Sequence, residues 1–427
     1  MNTDTTPHSP LDPTPATPPP QAWIGLDWGH KSHAFALQAA TGRLEEGTLE
    51  HSAEALHGWL RQLADRFGGR PVVLAIECAH EPVIAALRQY PWLTLYSINP
   101  VTSKRYREAF TPSRASDDGP DARVLLELVR DHADKLRPFE EQDALTRQLD
   151  GLTQLRRQLV DQRTGVLNQL TALLRNYYPQ ALELVGDLDS DLAVDFLERW
   201  PDVLTLKTAR PATLKRFYYA HNLRSTELVT TRLALVQRAI ALTTDHARVR
   251  VAVFHLRALL AQLRALREHV AQLDAACHDC LAQHPRAALF RELPGAGPAL
   301  APRLCAAFGT LPHVYPEPAS LQKAAGVAPV REKSGQQEWI HWRWQTNAFL
   351  RQTFVEWAGQ TVRYSEWAKV FYERMVAKGK AHQTILRALA FRWIRILWKC
   401  WTTNTLYNET QYLEQLRRRK SPNAVPA

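Results

Sequence analysis

Four carboxylates in this chain, Asp27, Glu77, Asp118 and Asp121, have the side-chain chemistry and the setting for phosphoryl transfer, and a lone serine, Ser334, is a fifth candidate whose base or metal has to be found. Asp27 stands inside the strand-like run "WIGLDW", where a carboxylate is costly unless it lies near an edge or binds something. Glu77 closes the apolar run "VVLAIE", and open α/β sheets place ligands beyond the C-terminal ends of their strands. In "SRASDDGPDARVLLELV", Pro120 suits a first helical turn, and Asp118 and Asp121 share a helix face by their i,i+3 spacing. Four carboxylates so placed could hold two divalent cations, which clamp the attacking and leaving oxygens of a phosphoryl transfer. Each also has a structural reading on its own. Asp117 and Asp118 suit helix N-caps, and Glu77 could pair with a nearby Lys or Arg.

Ser334 raises a different question. Its surroundings, "GVAPVREKSGQQEWIHWRWQ", hold three tryptophans and several cations but no Asp. Serine is a weak nucleophile that needs a base or a metal, and a Ser-Gly pair is otherwise a turn hydroxyl. No Asp follows residue 285.

The elements around these residues read as three layers of organisation. "AWIGLDWGHKSHAFALQ" is a strand, a turn and a second strand. "PVVLAIECAH" is a buried central strand, "LTLYSINP" another, and "SAEALHGWLRQLADRF" has helical spacing. Together they predict an α/β sheet domain over 22–140, behind a Pro/Thr-rich, disordered leader over 1–21. A heptad count from Leu145 to Tyr177 finds apolar residues everywhere except Arg156 and Arg163, which predicts a coiled coil or helix pair ended by Pro179. Short helices should follow, then a second long helical stretch from about Ser225 to Gln283, making 141–285 a helical middle. "CHDC" (277–280) is a lone CxxC, a weak zinc signal beside the simpler reading of cysteines packed on a helix.

Charge separates the last third from the rest. From Arg286 onward there are 21 Lys/Arg against 9 Glu, a net +12, whereas the first 285 residues carry −2. Eight of the 13 tryptophans lie in that same third. A cationic, aromatic-rich segment suits nucleic acid; the plainer reading is a solvated basic face over a Trp-rich core. No apolar run approaches membrane-spanning length, the N-terminus has no secretory pattern, and five scattered cysteines fit a reducing cytoplasm.

The order of strand Asp, strand Glu and Asp-x-x-Asp-Ala at a helix start resembles the RuvC-like "DEDD" transposases of the IS110 insertion-sequence family. The C-terminal third resembles the same family in order: "LPGAGPALAPRLCAAFG" looks like its helix-hairpin-helix, "LQKAAGVAPVREKSGQQ" its serine motif, and "NAFLRQTFVEWA" and "AKGKAHQTILRALAFRWIRIL" its closing helices. The likeness runs over nearly all the chain after residue 22.

The resemblance implies α/β plus α architecture. A RuvC-like (RNase H-like) sheet domain would be followed by a long coiled-coil middle, a mainly helical serine transposase domain with a helix-hairpin-helix over 286–405, and a basic tail over 406–427. It implies that Asp27, Glu77, Asp118 and Asp121 bind Mg²⁺ (or Mn²⁺) and that Ser334 is the nucleophile, activated from the first domain. It implies donor and target DNA, a structured non-coding guide RNA and a homodimer or homotetramer, with no membrane, in a bacterial cytoplasm at the nucleoid. Two departures stand out. The family usually has Lys-Thr before the third carboxylate where this chain has Ser116 and Asp117, leaving Asp117 or Asp118 for that role. After Gly335, "QQEWIHWRWQT" replaces a more basic, Gly-containing run.

Other candidates have two readings each. Gly295 and Gly297 of "PGAG" either present backbone N–H groups to phosphate or make a tight interhelical turn. Lys333, Arg343, Lys378 and Lys380 are phosphate contacts or solvated cations, and His30 and His33 support Asp27 or are structural. The alternatives to a transposase are a site-specific invertase of the same family, a RuvC-like junction nuclease that dispenses with Ser334, and a non-enzymatic nucleic-acid-binding protein.

Overall fold

A computed structural model describes residues 19–77, 81–110, 118–335, 337–343 and 346–419, with the backbone alone at 81–82, 110 and 118–120. Most of the leader, Cys78, Ser116, Asp117 and the chain from 420 onward lie outside the described residues. The chain divides into two units, Met1–Glu141 and Gln142–Ala427.

The first unit is a five-stranded mixed sheet. β1 (Ala22–Trp28), β2 (Ser32–Ala39) and β3 (Leu44–Glu50) form an antiparallel meander; β4 (Val72–Glu77) and β5 (Leu93–Ile98) run parallel to β1, in the order β3-β2-β1-β4-β5. β3 was not foreseen, because "LEEGTLE" buries only Leu49 and an edge strand of exposed glutamates reads as a loop. α1 (Ala53–Phe67) starts where Ser52 caps the Ala55 amide and stops at Gly68, in the left-handed region at φ 61°. α1 and α2 (Glu81–Leu87) cover one sheet face: Leu56, Trp59, Leu60, Val83 and Ile84 pack with Ile24, Leu26, Leu74 and Ile76. α3 (Pro100–Phe110) follows β5. α4 (Asp118–Asp131) covers the other face, where Val124, Leu125 and Leu128 meet Val73 and Ala75. Gly25 is required there, since a Cβ would stand 1.9 Å from the Ala122 carbonyl oxygen of α4.

The second unit is helical apart from one hairpin. α5 (Ala144–Tyr177) and α11 (His246–Gln283) pair along their lengths, about 50 Å at 1.5 Å per residue. The two arginines that break the apolar seam are spent on ion pairs, Arg156 with Asp274 and Arg163 with Asp189. Between them come α6 (Gln180–Val185), α7 (Asp191–Arg199), α8 (Val203–Lys207), α9 (Pro211–Ala220) and α10 (Thr226–Arg238), which build a core with the far half of the pair. The second helical stretch is therefore not continuous from Ser225. It stops at Ala239, and a new helix starts where Asp245 caps the Ala247 and Arg248 amides. The near half of the pair joins the core of α12 (Ala287–Arg291), α13 (Gly297–Phe308), α14 (Pro318–Ala324), α15 (Ala348–Tyr364), α16 (Glu366–Ala377), α17 (His382–Thr403) and α18 (Glu409–Arg418). Four tryptophans, Trp357, Trp367, Trp393 and Trp401, are fully buried in it, so part of the aromatic excess is core. The expected basic tail is in part α18, capped by Asn408 and anchored by Leu413 and Leu416.

Cys277 and Cys280 are buried against the helix pair, and burial pushes the Cys277 thiol up to about 11, which favours protonated packing thiols. Nearby, a polar network ties the α5 start to α11 and α13. Asp143 accepts from the Thr146 amide and from the Thr310 hydroxyl at 2.7 Å, Thr146 meets His284 Nε2 at 3.0 Å, and Cys305 Sγ lies 3.2 Å from His284 Nδ1. Burial pushes the Asp143 carboxyl up, but the bonds from Thr146 and Thr310 and the charge of His284 outweigh it and hold the group at about 2. A depressed carboxyl contributes stability above its unfolded pKa of about 3.9, and that contribution is lost as pH falls towards the folded value. Asp143→Asn, which keeps the cap, should melt earlier than wild type at pH 6, by roughly 1–2 kcal/mol of the second unit. The gap should close between about pH 4 and pH 2 in tryptophan-monitored unfolding. A gap independent of pH would show that the charge of Asp143 contributes nothing.

Candidate functional site

The sheet places two of the carboxylates side by side. In the parallel register of β1 and β4, Gly25 pairs with Ala75 and Leu26 with Ile76, so Asp27 and Glu77 are the next positions at the strands' C-terminal ends. Alternation then decides their face. Leu26 and Ile76 point to the α1 side, so Asp27 and Glu77 belong with Gly25 and Ala75 on the α4 side. Asp121 lies in the first turn of α4, just ahead of the Ala122 that sits over Gly25. Asp118 opens the same helix; its side chain lies outside the described residues, as does Asp117.

Two residues that sequence reasoning missed contact two of these carboxylates, and both come from α3. Ser103 is buried and its hydroxyl donates to Glu77 Oε1 at 2.6 Å; Arg107 Nη2 lies 2.9 Å from Asp121 Oδ1. Their i,i+4 spacing in "PVTSKRYREAF" puts them on one helix face, but nothing in the sequence says which carboxylates that face meets. Arg107 and Asp121 are both about one-fifth exposed. Among the described residues no group of three or more His, Cys, Asp or Glu side chains is gathered tightly enough to hold a metal ion. The geometry thus joins Asp27 and Glu77 at one sheet end and turns Asp121 towards the α3 guanidinium. Any cation drawn to Asp121 would meet that guanidinium first.

His33 is a packing residue. It is fully buried and its ring stacks on Trp28 at 3.5 Å with 6° between planes, beside His51 at 4.9 Å. Burial, and then the charge of His51, push the imidazole down, so it stays neutral beneath the indole. His30 is exposed in the turn before β2.

Ser334 stands at the tip of a two-stranded ribbon in the second unit. β6 (Val330–Ser334) pairs antiparallel with β7 (Gln337–His341), closing on Ser334 and Gln337, with Gly335 at φ 60° in the turn. A side chain at that φ is strained, which accounts for the glycine after the serine. The ribbon is exposed along most of its length, so Ser334 reaches solvent. Cross-strand pairing puts Ser334, Glu332, Trp339 and His341 on one face and Lys333, Arg331, Glu338 and Ile340 on the other. Trp339 is 45% exposed and Ile340 62% exposed. Glu332 takes a hydrogen bond from Trp339 Nε1 at 2.9 Å and pairs with His341 Nε2 at 2.7 Å. The Trp342 carbonyl, and then Glu332, raise the His341 imidazole, and His341 and Trp339 hold the Glu332 carboxyl down. At the ribbon's base the Arg387 guanidinium lies 3.2 Å from the Trp342 ring centroid, fixing the ribbon to α17.

The other expected nucleic-acid residues are scattered over this unit. Gly295, at φ 70°, belongs to the turn between α12 and α13; a Cβ there would meet Gln360 of α15 at 3.0 Å, and the Pro294 carbonyl accepts from Trp357. The turn is thus closed by α15. Gly297 opens α13 with free space beside it. Lys333 is exposed opposite Glu338, Arg343 is half-buried, Lys378 caps α16, and Lys380 is exposed before α17.

Two family models match the chain in the order of these two parts. A DEDD transposase model of IS110, described as "Transposase", covers residues 24–179, and one described as "Transposase IS116/IS110/IS902 family" covers residues 287–373. Among similar proteins, the "Mini-circle putative transposase for IS117" of Streptomyces coelicolor is 28% identical over 91% of this chain and 95% of its own length. The "Insertion element IS110 uncharacterized 43.6 kDa protein" of the same species is 25% identical over 90% and 95%. The "Insertion element IS116 uncharacterized 44.8 kDa protein" of Streptomyces clavuligerus is 28% identical over 88% and 93%. No helix among the described residues is long and apolar enough to cross a membrane.

Proposed function

We propose a mechanism from the premise that this chain belongs to the IS116/IS110/IS902 family of transposases and acts on DNA as an insertion-sequence transposase. The DEDD family name points to divalent metal use. Asp27, Glu77, Asp121 and Asp118 offer only oxygen donors, which suits a hard cation such as Mg²⁺ or Mn²⁺. Such a cation lowers the pKa of a bound hydroxyl and stabilises charge on the scissile phosphate. Ser103 then keeps Glu77 oriented at the sheet end, while Arg107 pairs with Asp121 and would have to give it up to the cation.

Ser334 is the proposed nucleophile. Its Oγ attacks phosphorus, a P–Oγ ester forms, the P–O bond to one DNA strand breaks, and that strand's oxygen leaves with a proton as a hydroxyl. A hydroxyl of the incoming strand then attacks the phosphoserine and returns the serine, so the phosphodiester energy is conserved. The observation that carries this reading is the exposed serine at the tip of a ribbon, within the segment matched by the second family model. The domain boundaries follow the same reading: a RuvC-like domain over 22–140, a helical middle over 141–285 and a serine domain over 286–405. We take the protein to act as a dimer or tetramer, in which one chain's serine meets another chain's carboxylates. The excess of cations in the last third supports a structured guide RNA beside the DNA.

Full-length protein expressed with its flanking non-coding DNA should copurify with a discrete RNA and join donor to target strands in Mg²⁺. Removal of RNA by nuclease should cut joining at least about tenfold, with restoration by the purified RNA. Joining at the original rate after complete RNA removal overturns the guide and leaves a protein-read invertase.

A further inference from the structure

The last three helices gather four arginines around two rings. Arg374 follows Phe371 by one turn on α16, and its Cζ lies 5.8 Å from that ring's centroid; Arg392 of α17 lies 4.8 Å from the same centroid. Arg395 is one turn further along α17. Burial raises the Tyr412 hydroxyl pKa, and the nearby charges of Arg392, Arg419 (just past α18) and Arg395 pull it back, with Glu409 opposing them. Burial pushes the Arg392 guanidinium pKa down; Tyr412 opposes that, and the neighbouring charges of Arg374 and Arg395 add to it.

What this cluster lacks, among the described residues, is a carboxylate ion-paired with it. Among the described residues, no carboxylate forms an ion pair with Arg374, Arg392, Arg395 or Arg419, and Arg374 Nε is buried without a hydrogen-bond partner. The nearby Glu409 is committed to the Ser365 hydroxyl, the Glu366 amide and the Tyr407 hydroxyl. Several other arginines in the unit do have carboxylate partners: Arg156 pairs with Asp274, Arg264 with Asp195 and Glu198, and Arg267 with Asp191. Four crowded guanidiniums left unneutralised repel one another unless an anion joins them.

The geometry points to a seat for the phosphodiester backbone of duplex nucleic acid on the face formed by Arg374, Arg392, Arg395 and Arg419. This rests on the nucleic-acid function above and adds where the backbone lies. The seat is for phosphate, not bases: Phe371 is only 2% exposed and Tyr412 is half-buried, so no ring is open for stacking. Guanidiniums donate from a planar fork that matches two phosphate oxygens, and that phosphate is common to DNA and RNA backbones. DNA and RNA duplexes therefore share the chemistry the seat recognises.

The test uses full-length protein in which Arg374, Arg392 and Arg395 are all changed to Gln, with fluorescence anisotropy on a 30-base-pair DNA duplex and an RNA duplex of the same sequence, from about 50 to 200 mM KCl. Affinity at about 100 mM should fall at least tenfold, and the slope of log K against log salt should drop by about 2–3, roughly one for each phosphate no longer neutralised. A weaker affinity and shallower slope on DNA, on RNA or on both support the seat and name its source. The triple change to Lys should keep most of the slope, because the charge remains, and this separates the seat from mere cover over Phe371. A control triple on the exposed helical middle, Arg216→Gln, Arg224→Gln and Arg257→Gln, should leave the slope alone. An equal drop in the control, or an unchanged slope with wild-type binding intact, overturns the seat while the nucleic-acid reading stands. Failure of wild type to bind either duplex at 50 mM sinks both. If the Gln triple melts early, Arg395→Gln alone should still lower the slope by about one.

Discussion

Ser334→Ala protein is expected to fold, bind DNA and bind divalent cations as wild type does, and to form no covalent complex with DNA. Loss of a nucleophile costs on the order of 10⁴-fold or more in rate, because no other group takes over bond formation. The fold should not notice the change. Ser334 is exposed at a ribbon tip whose turn is set by Gly335, and surface substitutions of this kind stay within about 0.5 kcal/mol. Wild type, stopped with denaturant during the reaction, should yield a DNA adduct that maps to the peptide containing Ser334. Ser334→Cys should not recover full rate, since a hard cation prefers oxygen to sulfur. Gly335→Ala offers a separate check. It leaves the nucleophile in place but strains the turn at φ 60°, so it should slow the reaction and lower the amount of adduct together. An active Ser334→Ala protein that leaves free DNA ends removes the serine from the chemistry, and a junction nuclease acting through water takes its place.

The sequence was legible where local physics decides. Alternation and apolar runs located β1, β2, β4 and β5, and Ser52 and Gly68 bound α1 as capping rules require. The adjacency of Asp27 and Glu77 followed from two strands ending in carboxylates, once the parallel register of β1 and β4 was known. What stayed hidden depends on packing between distant segments. β3 is an edge strand whose polar face leaves no pattern. The ribbon bearing Ser334 is exposed on both faces, so "VREKS" and "QEWIH" show no burial period, and only the Ser-Gly pair hinted at a turn. Ser103 and Arg107 are unremarkable in a basic helix, and their role exists only because α3 packs beside α4. The tryptophans of the last third carried two meanings that composition cannot separate: Trp357, Trp367, Trp393 and Trp401 are core, while Trp339 faces solvent beside the serine.

The carboxylates give the second large effect, and the Arg107 pair makes it discriminating. Asp27→Asn, Glu77→Gln and Asp121→Asn are each expected to lower strand cleavage in Mg²⁺ by at least about a thousandfold, because an amide cannot supply the anionic oxygen a hard cation requires. Binding to DNA should change little, since the basic excess lies in the second unit. For Asp121 a purely structural role predicts something else. If it serves only to neutralise Arg107, then Arg107→Gln should be as harmful as Asp121→Asn, because either change breaks the same part-buried ion pair. If Asp121 is a ligand, Arg107→Gln removes the cation that competes for it. That variant should then keep cleavage within about tenfold of wild type and bind Mn²⁺ more tightly, read as a larger rise in the first unit's melting temperature at a given Mn²⁺ concentration. Ser103→Ala adds an internal standard. It removes one hydrogen bond from Glu77 without touching a carboxylate, so its effect should be small, on the order of 1 kcal/mol in stability. Equal loss of activity in Arg107→Gln and Asp121→Asn, with no change in Mn²⁺ protection, would assign Asp121 to the ion pair and leave the metal to Asp27, Glu77 and the start of α4.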